Sequence, residues 1–178
     1  MKNLKGSQTE KNLYKTFAGE CRARTKYNLF AEEARKEEQH WIADVFDETA
    51  GNEYAHAREV YKTFLGNVGS IEENLLTAAM GETDEYKEIY KQYEEVARDE
   101  GYNEIADFFK ELREVEESHK ERFTMLNKKL EEGSLYSSEN NEKWICLNCG
   151  YIYEGNEVPK MCPLCKYPQG YFKLICEC

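Results

Sequence analysis

The chain has 178 residues, a formal net charge of −11, seven cysteines and only three histidines. A chain this acidic, with no basic stripe along any helix face, is not built for nucleic acid. Its N-terminus is polar and no run approaches the roughly 18 apolar residues of a spanning helix, so a cytoplasmic protein without signal peptide or membrane anchor is expected. In that setting cysteines read as metal ligands before disulfides.

Ser7-Gln8-Thr9-Glu10 has the Ser-x-x-Glu form of a capping box and opens a long helical stretch. No proline occurs before residue 131, and apolar residues recur at spacings of three and four. The periodicity predicts four helices, over 8–37, 40–66, 70–99 and 102–131. Breaks fall at Lys36-Glu37-Glu38-Gln39, at Gly66-Asn67-Val68-Gly69 and at Glu100-Gly101. Residues 133–142, rich in Ser and Asn, read as a linker. Residues 143–178 hold all three prolines and carry a formal charge of +1, so the acidity belongs to the helices. The expected organisation is an all-α four-helix bundle over 1–132, a linker over 133–142, and a small metal-stapled domain over 143–178.

The helices contain an internal repeat. Ile42-Ala43-Asp44-Val45-Phe46 and Ile105-Ala106-Asp107-Phe108-Phe109 are related by an offset of 63, as are Tyr27 and Tyr90, and Arg35 and Arg98. Helices one and two thus read as a duplicate of helices three and four. A site on the resulting pseudo-two-fold axis receives its ligands in matched sets.

Two copies of Glu-x-x-His share that offset: Glu53-Tyr54-Ala55-His56 and Glu116-Glu117-Ser118-His119. Each lies within an apolar stripe, Ile42, Phe46, Thr49, Glu53, His56, Val60 in helix two and Ile105, Phe109, Leu112, Glu116, His119, Phe123 in helix four. On this pattern both carboxylate and imidazole are expected to be buried, which costs several kcal/mol without a partner. Helix one adds Glu20 to its stripe and helix three adds Glu82. Two Glu-x-x-His pairs plus one Glu from each remaining helix form the ligand set of ferritin-like dinuclear carboxylate sites, and the donor mix suits iron or manganese. Glu85, one turn after Glu82, is a surplus candidate without a counterpart in helix one. Glu20 maps to Glu82 at an offset of 62, whereas Tyr27 maps to Tyr90 at 63. One residue is therefore inserted between Glu82 and Tyr90, and a π-bulge is predicted there.

Cys146-x-x-Cys149 and Cys162-x-x-Cys165 form a four-cysteine metal motif. Spacing alone suits zinc or iron; the aromatic surroundings Trp144, Tyr151, Tyr153 and Phe172 favour a one-iron centre, with zinc a possible substitute in recombinant material. Cys176 and Cys178 are expected to have no role. Cys21 points off the stripe, and His40 is expected at the surface.

Ala18-Gly19-Glu20, Glu53 through Ala57, Arg98 through Tyr102, Glu116 through Phe123 and the tail from Trp144 to Cys165 together resemble the rubrerythrin family. Where many relatives have Tyr-Pro in helix three, this chain has Tyr90-Lys91. The resemblance implies a ferritin-like di-iron bundle fused to a C-terminal rubredoxin-like domain. It implies a non-haem peroxidase that reduces hydrogen peroxide to water in an anaerobe or microaerophile, fed by an external electron-donating reductase. It implies a homodimer in which one subunit's rubredoxin-like centre lies near the partner's di-iron site. By the same resemblance, one iron takes Glu20, the other Glu82 and His119, and Glu53 and Glu116 bridge. Glu85 and His56 exchange on the first iron with its oxidation state, and Tyr27 hydrogen-bonds near the ligands and helps deliver a proton. The alternative is a ferroxidase or iron-handling protein with a structural four-cysteine tail.

Overall fold

The computed structural model describes residues 3–175, so Cys176 and Cys178 lie outside the described residues. The chain falls into two compact units that divide between Gly69 and Ser70.

In the first unit, α1 (Gln8–Lys36) packs on α2 (His40–Arg58), which runs on into a π-helical turn, Glu59–Phe64. Ser7 caps α1 by accepting the Glu10 N–H at 3.1 Å. The Glu10 carboxylate accepts from the Gly6 N–H, one residue before the position a full capping box uses. Between the helices Glu38 takes a positive φ of 61° to reverse the chain. The seam is lined by small residues: Ala31, Ala43, Ala50 and Ala57 are buried, and their short side chains let the two helices approach closely. Beside the seam, Tyr27 stacks on Phe46 at 6.1 Å and Phe30 meets Phe46 edge-on at 5.5 Å.

The second unit repeats this design with one change. A continuous helical run consists of α3 (Ile71–Asp84), a π turn (Glu85–Ile89) and α4 (Tyr90–Asp99), and it packs on α5 (Asn103–Glu131). Ser70 opens it with a complete capping box: its side chain accepts the Glu73 N–H at 3.2 Å, and Glu73 accepts the Ser70 N–H at 2.7 Å. Tyr90 stacks on Phe109 at 6.1 Å and Tyr93 meets Phe109 edge-on at 5.5 Å, the same pair of contacts as in the first unit.

The π turn is the predicted one, with the Tyr90 N–H donating to the Glu85 carbonyl five residues back. In a regular helix Tyr90, eight residues after Glu82, would sit about 80° away from it around the axis. Taking up one residue in a wide turn returns Tyr90 to the Glu82 face, as Tyr27 lies on the Glu20 face seven residues on. The second π turn, Glu59–Phe64, has no offset in the repeat to reveal it.

After α5 come three strands, β1 (Ser137–Cys146), β2 (Ile152–Glu157) and β3 (Phe172–Leu174), in the order β2-β1-β3 with both pairings antiparallel. Strand β1 begins inside the stretch that the composition reads as linker. Its pairing with β2 is irregular between Ser137 and Glu142 and regular from there to Ile145. The core of this sheet is Trp144, Val158, Phe172, Cys146 and Cys162, with Tyr136, Tyr151, Tyr153 and Leu174 packed around it. The Trp144 indole donates to the Gly155 carbonyl at 3.0 Å, so its one polar atom is satisfied.

Candidate metal centres

Each helix pair gathers two carboxylates and one imidazole. Glu20 from α1 meets Glu53 and His56 from α2; Glu82 from α3 meets Glu116 and His119 from α5. Within each set the ligand atoms all lie within 4.8 Å of one another. The geometry repeats: His56 Nδ1 is 3.0 Å from Glu53 and 3.8 Å from Glu20, while His119 Nδ1 is 2.8 Å from Glu116 and 3.9 Å from Glu82. Three residues separate Glu from His in each motif, which places both on one helix face.

The carboxylates crowd each other. The hydrogen bond with Glu53, then burial, then the Glu53 charge push the Glu20 carboxyl above its ordinary range, against the pull of His56. Burial, the hydrogen bond with Glu116 and the Glu116 charge raise Glu82 likewise. Like charges this close need a proton or a cation between them. Glutamate oxygens with one imidazole nitrogen are a donor set for iron or manganese, so both half-sets fit such a metal.

Burial differs from the expectation. Glu116 is buried and Glu20, Glu53 and Glu82 are half-buried, but the His56 and His119 side chains are 61% and 47% exposed. Of the stripe residues, Ile42 and Ile105 are also exposed. A pair of helices buries only the seam between them. A stripe read from one sequence marks the whole face that a four-helix core would need.

Glu85 stands outside the three-residue set, at the start of the π turn, where it hydrogen-bonds the Tyr90 phenol. Burial first, then the charges of Glu85 and Glu116, push that phenol above its ordinary range. Tyr27 lies between Phe30 and Phe46, on the face that carries Glu20. His40 and Cys21 are exposed, as expected.

Two residues that the sequence reading missed support this region. Arg113 on α5 bonds Glu94 at 3.0 Å and donates through Nε to the Tyr86 carbonyl at 3.1 Å, inside the π turn. Arg98 holds the other side of Glu94 at 3.1 Å. The repeat contained the signal: 63 residues earlier stand Ala31 and Ala50, both buried. A charged pair in place of two seam alanines is a local change of purpose.

The four cysteines Cys146, Cys149, Cys162 and Cys165 converge within 4.8 Å, with sulfur–sulfur distances of 3.8 Å for Cys146–Cys165 and 3.7 Å for Cys149–Cys162. A tetrahedron with metal–sulfur bonds of about 2.3 Å has edges of about 3.8 Å, so these two sulfur–sulfur distances already match its edges. Two matching knuckles make the site. The Cys146 N–H donates to Tyr151 and the Gly150 N–H returns to Cys146; the Cys162 N–H donates to Tyr167 and the Lys166 N–H returns to Cys162. Gly150 and Lys166 take positive φ at equivalent positions, 75° and 62°.

The knuckle amides act on the sulfurs. The Tyr151 amide pulls the Cys149 thiol down, but burial and the three neighbouring thiols outweigh it and push the group up to about 12. Burial pushes Cys165 up, yet the Tyr167 amide, the Asn148 side chain and two thiols bring it down to about 6.

The comparisons with known proteins agree with this geometry. Residues 11–127 match the family profile described as Rubrerythrin, and residues 144–173 match the one described as Rubrerythrin, rubredoxin-like domain. The chain is 40% identical to a rubrerythrin of Nitratidesulfovibrio vulgaris over 98% of both chains. It is 41% identical to a rubrerythrin of Clostridium perfringens over 99% of both. To a rubrerythrin of Porphyromonas gingivalis it is 40% identical, over 97% of this chain and 92% of the relative.

Proposed function

The chain belongs to the rubrerythrin family, and from that premise we propose that it is a non-haem peroxidase reducing hydrogen peroxide to water. The fold class is that of the family, a ferritin-like helical part followed by a rubredoxin-like domain, and its cofactors are a di-iron site and a four-cysteine iron. Among the described residues no helix is long and apolar enough to cross a membrane. The finer reading is a cytoplasmic homodimer with domains at 1–132 and 143–178 joined by 133–142, fed by an external reductase. The observation that carries the proposal is the pairing, in one chain, of two matched Glu-Glu-His half-sets with a separate four-sulfur centre.

The overall reaction takes one peroxide, two electrons and two protons to two waters. When bound, a ferrous pair supplies two electrons at one place, and the four-cysteine iron replaces them singly. The protein's own residues do the rest. Glu20 would hold one metal and Glu82 with His119 the other, with Glu53 and Glu116 as ligands the two would share. Glu85 and His56 would serve the first metal in its two oxidation states. The Tyr27 hydroxyl holds a proton for the departing oxygen. Glu85, three residues after Glu82, shares its face, and the π turn brings Tyr90 back to that face beside it. Trp144 and the tyrosines cover Cys146 and Cys162, while Cys149 faces solvent.

The test is anaerobic reduction followed by stopped-flow mixing with peroxide, reading the visible band of the four-cysteine iron. Rapid return of the band at about one peroxide per two electrons supports the proposal. Slow reaction with peroxide, alongside fast oxidation of added Fe(II) by oxygen, would replace it with the ferroxidase reading. Cys149→Ser should abolish reductase-driven turnover yet leave one stoichiometric oxidation of the reduced bundle.

A further inference from the structure

Each Glu-Glu-His set has an aromatic cluster on its own helix pair, and the two clusters follow one pattern. On α1 and α2, Tyr27 lies 6.3 Å from Phe30 and 6.1 Å from Phe46, and Phe30 meets Phe46 at 5.5 Å. On α4 and α5, Tyr90 lies 6.1 Å from Tyr93 and 6.1 Å from Phe109, and Tyr93 meets Phe109 at 5.5 Å. The inner tyrosines, Tyr27 and Tyr90, are half-buried, and the outer rings, Phe30 and Tyr93, are each 47% exposed. Phe30 and Tyr93 are repeat equivalents at the offset of 63. The clusters agree in spacing and exposure and differ in one group, the hydroxyl of Tyr93.

That hydroxyl changes the chemistry open to the cluster. A benzene ring has no acidic proton to release and is a poor electron donor in water. A phenol carries an ionisable proton, and it gives up an electron readily when that proton leaves at the same time. Both phenols have a place to send it. Tyr90 hydrogen-bonds the Glu85 carboxylate, and Tyr93 is open to solvent. Tyr90 also feels the charges of Glu116 and Glu82, which puts it beside the ligands. The two tyrosine rings meet edge-on within ordinary aromatic contact range, with no side chain between them. Tyr27 has no such continuation, because the rings against it are both phenylalanines.

We propose that Tyr90 and Tyr93 form an electron route from the ligand set to the surface, and that Tyr93 is sacrificed through it when peroxide outruns the supply of reductant. This rests on the peroxidase reading and extends it to the condition in which no reductase is at work. Peroxide needs two electrons, and peroxide beyond the first equivalent must then take them from protein side chains. Tyr90 gives up an electron on the ligand side and passes its phenol proton to Glu85. It regains the electron from Tyr93 and the proton from Glu85, so Tyr90 ends unchanged. Tyr93 loses two electrons in succession by this route. Water adds to its ring beside the phenol carbon, a ring C–H bond breaks, and two protons return to solvent. The O–O bond of peroxide takes up the two electrons and two protons and yields two waters. The sum is one tyrosine and one peroxide to one catechol and one water. The lasting damage falls on an exposed ring and spares the glutamates and histidines.

The origin of the new oxygen tests this. The full-length, iron-loaded protein is reduced anaerobically and given excess peroxide, without a reductase, in water labelled with heavy oxygen. After digestion, mass spectrometry should find one heavy oxygen on Tyr93 and none on Tyr27 or Tyr90. Freeze-quenched samples should show a phenoxyl radical by electron paramagnetic resonance before the product appears. Tyr90→Phe should abolish the label on Tyr93, although Tyr93 stays exposed. Tyr93→Phe should leave the radical on Tyr90, with a longer life, and should lose bundle iron at a smaller excess of peroxide than wild type. Metal-free protein should take up no label.

Several outcomes would overturn the route. Light oxygen on Tyr93, drawn from peroxide, would mean direct attack by a diffusing oxidant. Equal labelling of Tyr54 and Tyr102, which are also exposed, would mean a general surface reaction. Labelling of Tyr93 that survives Tyr90→Phe would remove Tyr90 from the path, and unchanged iron retention in Tyr93→Phe would remove the protection. Peroxide consumption is counted in the same samples. A reduced site that consumes peroxide while Tyr93 stays unlabelled removes the route and keeps the peroxidase. A site inert to peroxide removes the peroxidase. The same labelling is then read with oxygen as oxidant, which takes the same two electrons and leaves as peroxide; an unlabelled Tyr93 there also overturns the route.

Discussion

Helices α1 and α2 and helices α3 to α5 are two versions of one design, alike at the ligands and unlike in what supports them. Both carry a Glu-Glu-His set with distances that agree to within 0.2 Å (3.0 and 3.8 Å against 2.8 and 3.9 Å), and both brace it with an aromatic pair at 6.1 Å and an edge contact at 5.5 Å. Behind the ligands the first version has Ala31 and Ala50 buried in a close helix seam. The second has Glu94 and Arg113 at those positions, and Arg113 reaches the Tyr86 carbonyl in a π turn that the first version lacks at this place. A widened turn takes a carbonyl out of the regular i→i−4 ladder, and buried carbonyls need a donor. The charged pair supplies it. The comparison teaches that ligand symmetry can be kept while one side gains an additional carboxylate, Glu85, provided the helix that bears it is held open.

The largest effects test the symmetric part. Glu53→Ala and Glu116→Ala should weaken iron binding in the bundle equally, by more than the roughly 10- to 100-fold typical of outer-shell partners. Metal analysis after gel filtration would show this, with the four-cysteine iron as an internal standard. Loss in one variant but not the other would break the equivalence of the two sets. The next effect tests the asymmetric part. Glu85→Ala should keep both bundle irons and slow peroxide turnover by about tenfold, in the range that a positioned acid–base or ligand group contributes at the low end. If Glu85→Ala loses iron as fully as Glu116→Ala does, then Glu85 is a permanent ligand and does not alternate with His56.

Much of this was legible in the sequence because the repeat acts as an alignment of the chain with itself. The change of offset from 62 to 63 located the π turn between Glu82 and Tyr90 without coordinates. The π turn at Glu59–Phe64 shifts no marker and so left no trace. The four cysteines and their shell of Trp144, Tyr151, Tyr153 and Phe172 were readable because metal spacing and aromatic content are strong local signals. Strand β1 was not fully readable. Its first residues are Ser and Asn, held by backbone pairing that composition does not record. The alanine seam was hidden for a related reason: large residues define a stripe, but small ones set the approach of two helices. The exposure of His56 and His119 was missed because periodicity reports which face needs covering, not which helices cover it.

The smallest effect concerns the support itself. Burial tends to raise the Glu94 carboxyl, but hydrogen bonds and charge from Arg98 and Arg113 prevail and hold it below its ordinary range. A carboxylate depressed in the folded state contributes stability above its unfolded pKa and loses that contribution as pH falls through the folded value. Glu94→Gln should therefore cost about 1–2 kcal/mol near neutral pH, the scale of lost hydrogen bonds to a charged group. The gap from wild type should shrink once the pH drops below about 4.3. Reading the difference between the two proteins by urea unfolding at each pH cancels the acid loss of iron common to both. Arg113→Ala leaves Glu94 with only Arg98 and the Tyr86 carbonyl without its donor. Replacing both Glu94 and Arg113 by Ala copies the first helix pair and leaves no half of that pair behind, so it should cost less than the sum of the single changes. If the double change is additive, Glu94 and Arg113 act independently, and the pair is not what holds the π turn. If it is less than additive and turnover still falls to the level of Glu85→Ala, the pair acts through the position of Glu85.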